Sequence, residues 1–278
     1  MEKRVLGRTG ASVSVLGFGC GAVGGLMVRG TPADQARAVA RALDAGINYF
    51  DTAPAYGNGA SEENLGRVLK SLKPEIFLST KFTVLPEHKK DIAGGIAQSL
   101  EQSLTRLGRD HVDLLQLHNR IAASGSDRPL DAGTVLDQVA PALQNLRQQG
   151  KIRFFGITAL GDTPALQKVV DSGAFDTAQI CHNLLNPSAT TALPPNFPAQ
   201  DFEKLALRAH AKGMGTIAIR ILAGGALSGQ ETRHPTGAAS VEPIASGPDY
   251  AADVKRALAL QALVGAGYAR SLIEAALR

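Results

Sequence analysis

Four polar residues stand where apolar runs give way to loops. Asp51 and Tyr56 lie in Asp51-Thr52-Ala53-Pro54-Ala55-Tyr56-Gly57, Lys81 closes Ser79-Thr80-Lys81, and His118 follows Gln116-Leu117 and precedes Asn119. Singly, each has an ordinary structural explanation: a helix cap, a solvated strand-end charge, a turn histidine. As a set they fit one reaction. Reducing a carbonyl takes a hydride, which a nicotinamide can supply, and a proton for the alkoxide that develops. A free tyrosine, with a pKa near ~10, gives up its proton reluctantly at neutral pH. A neighbouring ammonium favours the phenolate and lowers that value. Lys81 can act on Tyr56 in this way, with Asp51 holding Lys81 charged and oriented. His118 can donate a hydrogen bond to the carbonyl oxygen. The candidate catalytic residues are therefore Asp51, Tyr56, Lys81 and His118, and the candidate substrate contacts are Tyr56, His118 and Asn119.

These residues need a frame that brings distant strand ends together. Short apolar runs occupy residues 13–18, 48–52, 76–81, 112–117, 152–158, 177–182 and 215–222. Continuous apolar runs of this length read as strands buried on both faces, as in a parallel sheet. Helical stretches lie between them. In residues 31–45 the apolar positions Ala36, Val39, Ala40 and Leu43 share one face, Thr31 fits the N-cap, Pro32 the first turn and Gly46 the C-terminal stop. Thr163-Pro164 opens another helix, which Gly173 closes. Residues 89–107 and 133–149 complete the pattern. Ahead of all these, residues 4–14 read as a β-hairpin whose turn is bracketed by Gly7 and Gly10.

Repeated strand–helix units with no break in composition imply one domain over residues 1–278 and a closed α/β barrel rather than an open sheet. Active residues of such a barrel gather at the C-terminal strand ends, where Asp51, Lys81 and His118 fall. The glycine-rich Gly17–Gly25 segment runs into no immediate helix, so it does not read as a Rossmann turn. Residues 223–248 are rich in Gly and Pro; their start reads as a cofactor loop and the remainder as a mobile lid. Substrate walls are expected from residues 23–28, from 119–130 and from the lid after Gly229.

Bulk properties exclude several classes. The net charge of +4 is dispersed and aromatics are 5% with no Trp, which argues against a nucleic-acid partner. No run approaches the ~18 apolar residues of a membrane span, and the N-terminus lacks the apolar stretch of a secretory signal. Cys20 and Cys181 are too few and too far apart for a disulfide framework or a metal site. A cytoplasmic protein acting on a small carbonyl or alcohol is the expectation.

The segment Gly46-Ile-Asn-Tyr-Phe-Asp-Thr-Ala-Pro-Ala-Tyr-Gly57, followed by Ser61-Glu62 and Leu65-Gly66, closely resembles the signature of the aldo-keto reductase family. So do the opening hairpin, Ser79-Thr-Lys81 and Asp113-Leu-Leu-Gln-Leu-His118. The resemblance implies a (β/α)8 barrel, the tetrad Asp51, Tyr56, Lys81 and His118, and NADP(H) bound across the barrel mouth. It also implies cofactor contacts from Gly19, Cys20, Asp51, Thr158 and Gln179, the last holding the nicotinamide carboxamide. Leu222–Gly229 looks like the family's pyrophosphate loop, with Leu222, Gly224, Gly225 and Leu227 as contacts.

Four departures accompany the resemblance. Thr158 stands where the family has Ser. Ala159 replaces the Asn that usually follows. Ile219 and Arg220 occupy the place of the stacking aromatic, with Arg220 available to stack or to meet a phosphate. Residues 271–278 look like the start of the seventh barrel helix, so a barrel lacking the eighth strand and the final helix is expected. These departures motivate a second reading, a cofactor-sensing or structural subunit of low turnover.

Overall fold

The computed structural model describes residues 1–123, 130–230 and 232–278. Part of the expected substrate wall, residues 124–129, lies outside the described residues, as does Glu231 in the expected lid.

The chain opens with the antiparallel pair β1 (Lys3–Val5) and β2 (Ser12–Ser14), joined by a tight turn. Gly7 in that turn has φ +50°, and a Cβ there would stand 2.2 Å from the Gly215 nitrogen. Only glycine lets the hairpin press this closely on the barrel wall. Seven parallel strands follow in one sheet, in chain order: β3 (Phe18–Gly19), β4 (Tyr49–Asp51), β5 (Phe77–Phe82), β6 (Val112–Leu117), β7 (Ile152–Thr158), β8 (Thr177–Cys181) and β9 (Gly215–Ile219). Neighbouring strands are sequential throughout, as repeated right-handed strand–helix–strand units require.

The main helices between strands are Pro32–Asp44, Ala60–Leu72, Ile92–Leu107, Ala140–Gln148, Thr163–Ser172 and Leu205–Ala211. Thr31 caps the first by accepting from the Asp34 amide at 3.2 Å, with Pro32 in the first turn, as its sequence requires. Thr163 is the first residue of its helix, and Asp162 stands at the N-cap position. The apolar helix faces and strand interiors form one main core that includes Phe50, Leu78, Leu115, Phe155, Leu166 and Ile180.

The first barrel strand differs from the sequence reading of residues 13–18. Val13 belongs to the hairpin, and the barrel strand begins only at Phe18. Val13 joins Leu6, Tyr49, Phe77 and Leu114 in a separate cluster that closes the barrel floor. The rings of Tyr49 and Phe77 stack at 5.6 Å, and those of Phe77 and Phe154 at 6.1 Å. Asn48 ties the plug in place, its side-chain oxygen accepting from the Ser14 amide at 2.6 Å and its nitrogen donating to Ser12 O at 3.0 Å. The floor is thus buried and largely aromatic, and the charged residues sit above it.

Beyond β9, residues 223–228 form a short 3-10 turn, and Tyr250–Ala259, Gln261–Gly265 and Leu272–Leu277 are helices. Tyr250–Ala259 was not anticipated from sequence. The segment read as a mobile lid is tied at several points. Arg233 donates to Gly224 O at 3.0 Å, the Ala238 amide donates to Val23 O at 2.9 Å, and Arg29 Nε donates to Thr236 O at 2.9 Å. These contacts carry it from the β9 side to the loop after β3. Among the described residues no helix is long and apolar enough to cross a membrane.

Ser61 and Glu62 brace the strands that carry the site. Ser61, at the start of helix Ala60–Leu72, is buried; its hydroxyl donates to Cys20 O at 2.9 Å and lies 2.9 Å from the Thr52 hydroxyl. Glu62 is wholly buried, accepting from Thr80 Oγ1 at 2.6 Å and Arg106 Nε at 2.7 Å. Ser61→Ala strands a buried carbonyl and a buried hydroxyl, a loss of about 1–3 kcal/mol. Thermal or urea unfolding of the variant should show that deficit, and unchanged stability would remove Ser61 from this role.

Candidate active site

The four residues singled out by type converge at the C-terminal ends of β4, β5 and β6. Lys81, the fifth residue of β5, is 1% exposed, and its ammonium donates to Asp51 Oδ2 at 2.5 Å and to Thr52 O at 2.9 Å. Tyr56 follows β4 on a turn whose amide donates to Ala53 O, which folds its ring back over the strand end. The Lys81 ammonium lies 4.9 Å from the centre of that ring. His118 follows β6, and its ring meets the Tyr56 ring edge-on, with centres 5.8 Å apart.

Electrostatics divide the roles. Burial alone would discharge Lys81, but the charge and hydrogen bonding of Asp51, with help from Tyr56, outweigh it and raise the ammonium pKa above the ordinary value. Tyr56 is raised by burial; the Lys81 charge and hydrogen bond lower it, and Asp51 raises it. The sign of the lysine effect is therefore the one expected from sequence, although desolvation outweighs it in this closed setting. Burial, then the Lys81 charge, pushes His118 from 6.5 down to about 4. At neutral pH its imidazole is uncharged and offers one N–H donor.

The depressed His118 value predicts a pH window. Folding favours the neutral ring, so the unfolded chain binds the proton more readily between about 4 and 6.5. Stability contributed by His118 is complete above about 6.5 and is lost as pH falls toward about 4. Chemical denaturation at pH 5 and pH 7.5 should show wild type losing more stability on acidification than His118→Gln. Equal losses would contradict the depressed value.

A polar layer lies under the pair, of which the sequence reading singled out Gln179, as a cofactor contact, and passed over Gln116. Gln179 on β8 reaches across the barrel, donating to Asp51 Oδ1 at 2.8 Å. Gln116 on β6 donates to the same oxygen at 3.2 Å and to Ser79 Oγ at 2.8 Å. The signal for Gln116 was available: it is a lone carboxamide inside a strand that is buried throughout.

Several expected contacts are placed differently. Asn119, expected to meet substrate, is buried, and its carboxamide spans the Val84 backbone, accepting from the amide at 2.8 Å and donating to the carbonyl at 2.9 Å. It braces the loop after β5 instead. Leu227, expected as a cofactor contact, has its side chain buried with Leu185, Ala223, Ala226 and Ala257, because the 3-10 turn points it inward. The Thr158 hydroxyl donates to Leu117 O at 2.9 Å, so its proton is committed to β6. Gly19 is exposed, with open space where a side chain would stand, while Cys20 beside it is buried, and burial followed by the Asp51 charge pushes its thiol up.

The turn after β9 has the features of an anion cradle. Gly224 and Gly225 have φ of +69° and +113°. A Cβ on Gly224 would stand 3.2 Å from Arg220 Nη1, and one on Gly225 3.4 Å from Arg233 Nη1. Arg220 itself holds φ +58°, fixed by Asn183 Nδ2 and the Ala223 amide, which donate to its carbonyl at 3.0 and 2.7 Å. Leu222 accepts from the Gly225 and Leu227 amides and so shapes the turn. Two guanidiniums at a glycine turn fit a pyrophosphate. Arg233 and Tyr250, whose ring lies 5.1 Å from the Arg233 guanidinium, were not singled out in the sequence.

Comparison with known proteins agrees with this geometry. The model of the Aldo/keto reductase family matches residues 15–278. The chain belongs to that family. This aldo/keto reductase is 34% identical over 236 residues to L-galactose dehydrogenase of Arabidopsis thaliana, a match covering 83% of this chain and 68% of the plant protein. It is 34% identical over 215 residues to D-threo-aldose 1-dehydrogenase of a Pseudomonas species, covering 66% of this chain and 62% of that one. Across the first curated relatives the matched share of their own length runs from 47% to 68%. Among solved structures, glycerol dehydrogenase of Gluconobacter oxydans superposes with a TM-score of 0.67 at 27% identity, covering 96% of this chain and 78% of that one. The sheet described above is consistent with the family's barrel. Among the described residues the parallel sheet holds seven strands, β3 to β9.

Proposed function

We propose that this aldo/keto reductase is an NADP(H)-dependent, cytoplasmic oxidoreductase that interconverts aldehydes or ketones and alcohols, with Tyr56 giving the proton to the carbonyl oxygen. The observation that carries the reading is the buried Lys81–Asp51 pair set against the Tyr56 ring. A scaffold has no use for a wholly buried ammonium beside a phenol, so the arrangement favours turnover over a sensing subunit. The two thiols, both buried and unpaired, suit a reducing compartment.

When bound, the nicotinamide supplies or takes the hydride. The chain's own part is positioning and proton transfer. Lys81, kept charged by Asp51, stabilises the phenolate that Tyr56 becomes when its proton leaves. Neutral His118 donates a hydrogen bond to the substrate oxygen and fixes its approach. Gly224, Gly225, Arg220 and Arg233 would hold the cofactor pyrophosphate, and Gln179, Thr158, Gly19 and Cys20 would lie toward its nicotinamide end. In the oxidative direction Tyr56, as phenolate, takes the alcohol proton.

The relatives' names, an L-galactose dehydrogenase, a D-threo-aldose 1-dehydrogenase and a glycerol dehydrogenase, support polyhydroxylated substrates. Fluorescence titration with NADPH and NADH, together with NADPH consumption on aldehydes and NADP+ reduction on aldoses, tests the assignment. Saturable NADPH binding and turnover with at least one such compound are expected. Binding without any turnover would favour the sensing subunit, and very weak, equal binding of both cofactors would sink the cofactor assignment.

Gly225→Ala probes the anion cradle. At φ +113° a side chain is strained by about 1–3 kcal/mol. The turn should shift, and the dissociation constant for NADPH should rise about tenfold or more, equivalent to about 1.4 kcal/mol. An unchanged constant would place the pyrophosphate elsewhere.

A further inference from the structure

The Lys81–Asp51 pair is held from below by a residue with no assigned part in the chemistry. Gln116 is 0% exposed, and its backbone is the register partner of Lys81 across β5 and β6. Its amide nitrogen donates to Asp51 Oδ1 at 3.2 Å and to Ser79 Oγ at 2.8 Å. Ser79 is in turn the register partner of Asp51. Gln116 therefore links the strand of the carboxylate, the strand of the ammonium and its own. Lys81 holds the other carboxylate oxygen at 2.5 Å. The two oxygens of Asp51 are thus divided between a charge on one side and carboxamides on the other.

We propose that Gln116 is a positioning residue for the proton-transfer group: it fixes Asp51 Oδ1 so that Oδ2 stays aimed at Lys81 beside Tyr56. This rests on the reading of Tyr56 as proton donor. Gln179 shares the same oxygen at 2.8 Å, but it lies on β8, across the sheet. Of the two carboxamides, Gln116 is the one that bonds to both adjacent strands that carry the pair, through Asp51 on β4 and Ser79 on β5. Its own Oε1 is buried and has no hydrogen-bond partner among the described residues. A buried glutamine that leaves its acceptor unpaired is kept for its donor, since an apolar residue of similar size would avoid that cost.

The donor has an electrostatic consequence. The titratable and charged groups facing Tyr56 are Lys81, Asp51 and Cys20, with the Tyr56 charge also felt at Tyr49 and Arg220 and the neutral His118 ring edge-on. Asp51 raises the phenol and Lys81 lowers it. An N–H on Asp51 offsets part of the carboxylate charge. Without it the Tyr56 proton is held more tightly.

The test is the ionisation of Tyr56, read as the ultraviolet difference titration between each protein and its Tyr56→Phe counterpart, which removes one of four tyrosines. It is paired with NADPH-dependent reduction of DL-glyceraldehyde and with NADPH titration. In Gln116→Leu the Tyr56 midpoint should rise by about half a pH unit or more, and kcat should fall about tenfold with KM and NADPH affinity nearly unchanged. Gln116→Glu should restore activity toward acid, where the new carboxyl can donate to Asp51, and lose it as that proton leaves. A folded Gln116→Leu protein with the wild-type midpoint and kcat overturns the proposal. If Gln116→Leu fails to fold, a Gln116→Glu profile of wild-type shape does the same. Should Tyr56→Phe itself retain full turnover, the donor reading falls first, and the two failures are thereby told apart.

Discussion

Tyr56→Phe should fold as wild type does, bind NADPH within about twofold of wild type and lose about 10²–10⁴-fold in kcat. The magnitude is the usual contribution of one positioned general acid. The selectivity follows from the packing. The phenyl ring keeps its edge contact with His118 at 5.8 Å and its place 4.9 Å from the Lys81 ammonium, so neither the floor nor the cradle is disturbed. Only the hydroxyl, the one group of this ring able to carry a proton, is removed. Steady-state kinetics on the best aldehyde and a fluorescence titration check the two halves separately. A variant with full turnover would remove Tyr56 from the chemistry, and one that no longer binds NADPH would make its role structural.

Lys81→Met should damage both stability and turnover. Lys81 is 1% exposed and Asp51 about 15%, so the variant leaves a carboxylate in a largely dry site with only carboxamide donors. Breaking one side of such a buried pair costs about 3–5 kcal/mol. Turnover should fall at least as far as in Tyr56→Phe. The ammonium lowers the phenol pKa, and once it is gone burial and the Asp51 charge act unopposed, so the proton is held too tightly to transfer. Urea unfolding and kcat measured on the same sample are the checks. Normal stability would show that Asp51 is solvated or finds another partner, and normal turnover would show that the ammonium is dispensable.

Much of this site was legible because strand ends in a parallel barrel must converge. Asp51, Lys81 and His118 each close an apolar run, and once the runs are strands of one sheet their side chains share a mouth. Tyr56 could be added because a phenol beside an ammonium has a chemical use. What escaped the reading was depth. Sequence period tells which strands are buried but not what lies beneath a polar residue, so Gln116 passed as part of a run although it ties Asp51 from below. Asn119 and Leu227 show the same limit from the other side. Both stand beside functional positions in sequence, yet one side chain turns onto the Val84 backbone and the other into a local core. The first strand was misplaced because Val13-Ser-Val-Leu reads as a buried run, whereas Val13 and Ser14 are buried in the hairpin, Val13 closing the floor, and Val15 and Leu16 are exposed. Tyr250–Ala259 was hidden because its packing partners are the glycine turn and the segment pinned by Arg233, contacts that no local pattern reveals.

The central claim is that the phenol of Tyr56, held beside a buried ammonium, is the source of the proton. It is tested most directly by single-turnover reduction of an aldehyde by enzyme preloaded with NADPH, followed by loss of nicotinamide absorbance in H2O and in D2O, for wild type and for Tyr56→Phe. The account predicts a wild-type rate lower in D2O than in H2O and a variant slower by about 10²-fold or more in either solvent. Identical wild-type rates in the two solvents, together with a variant that transfers hydride as fast as wild type, would contradict it.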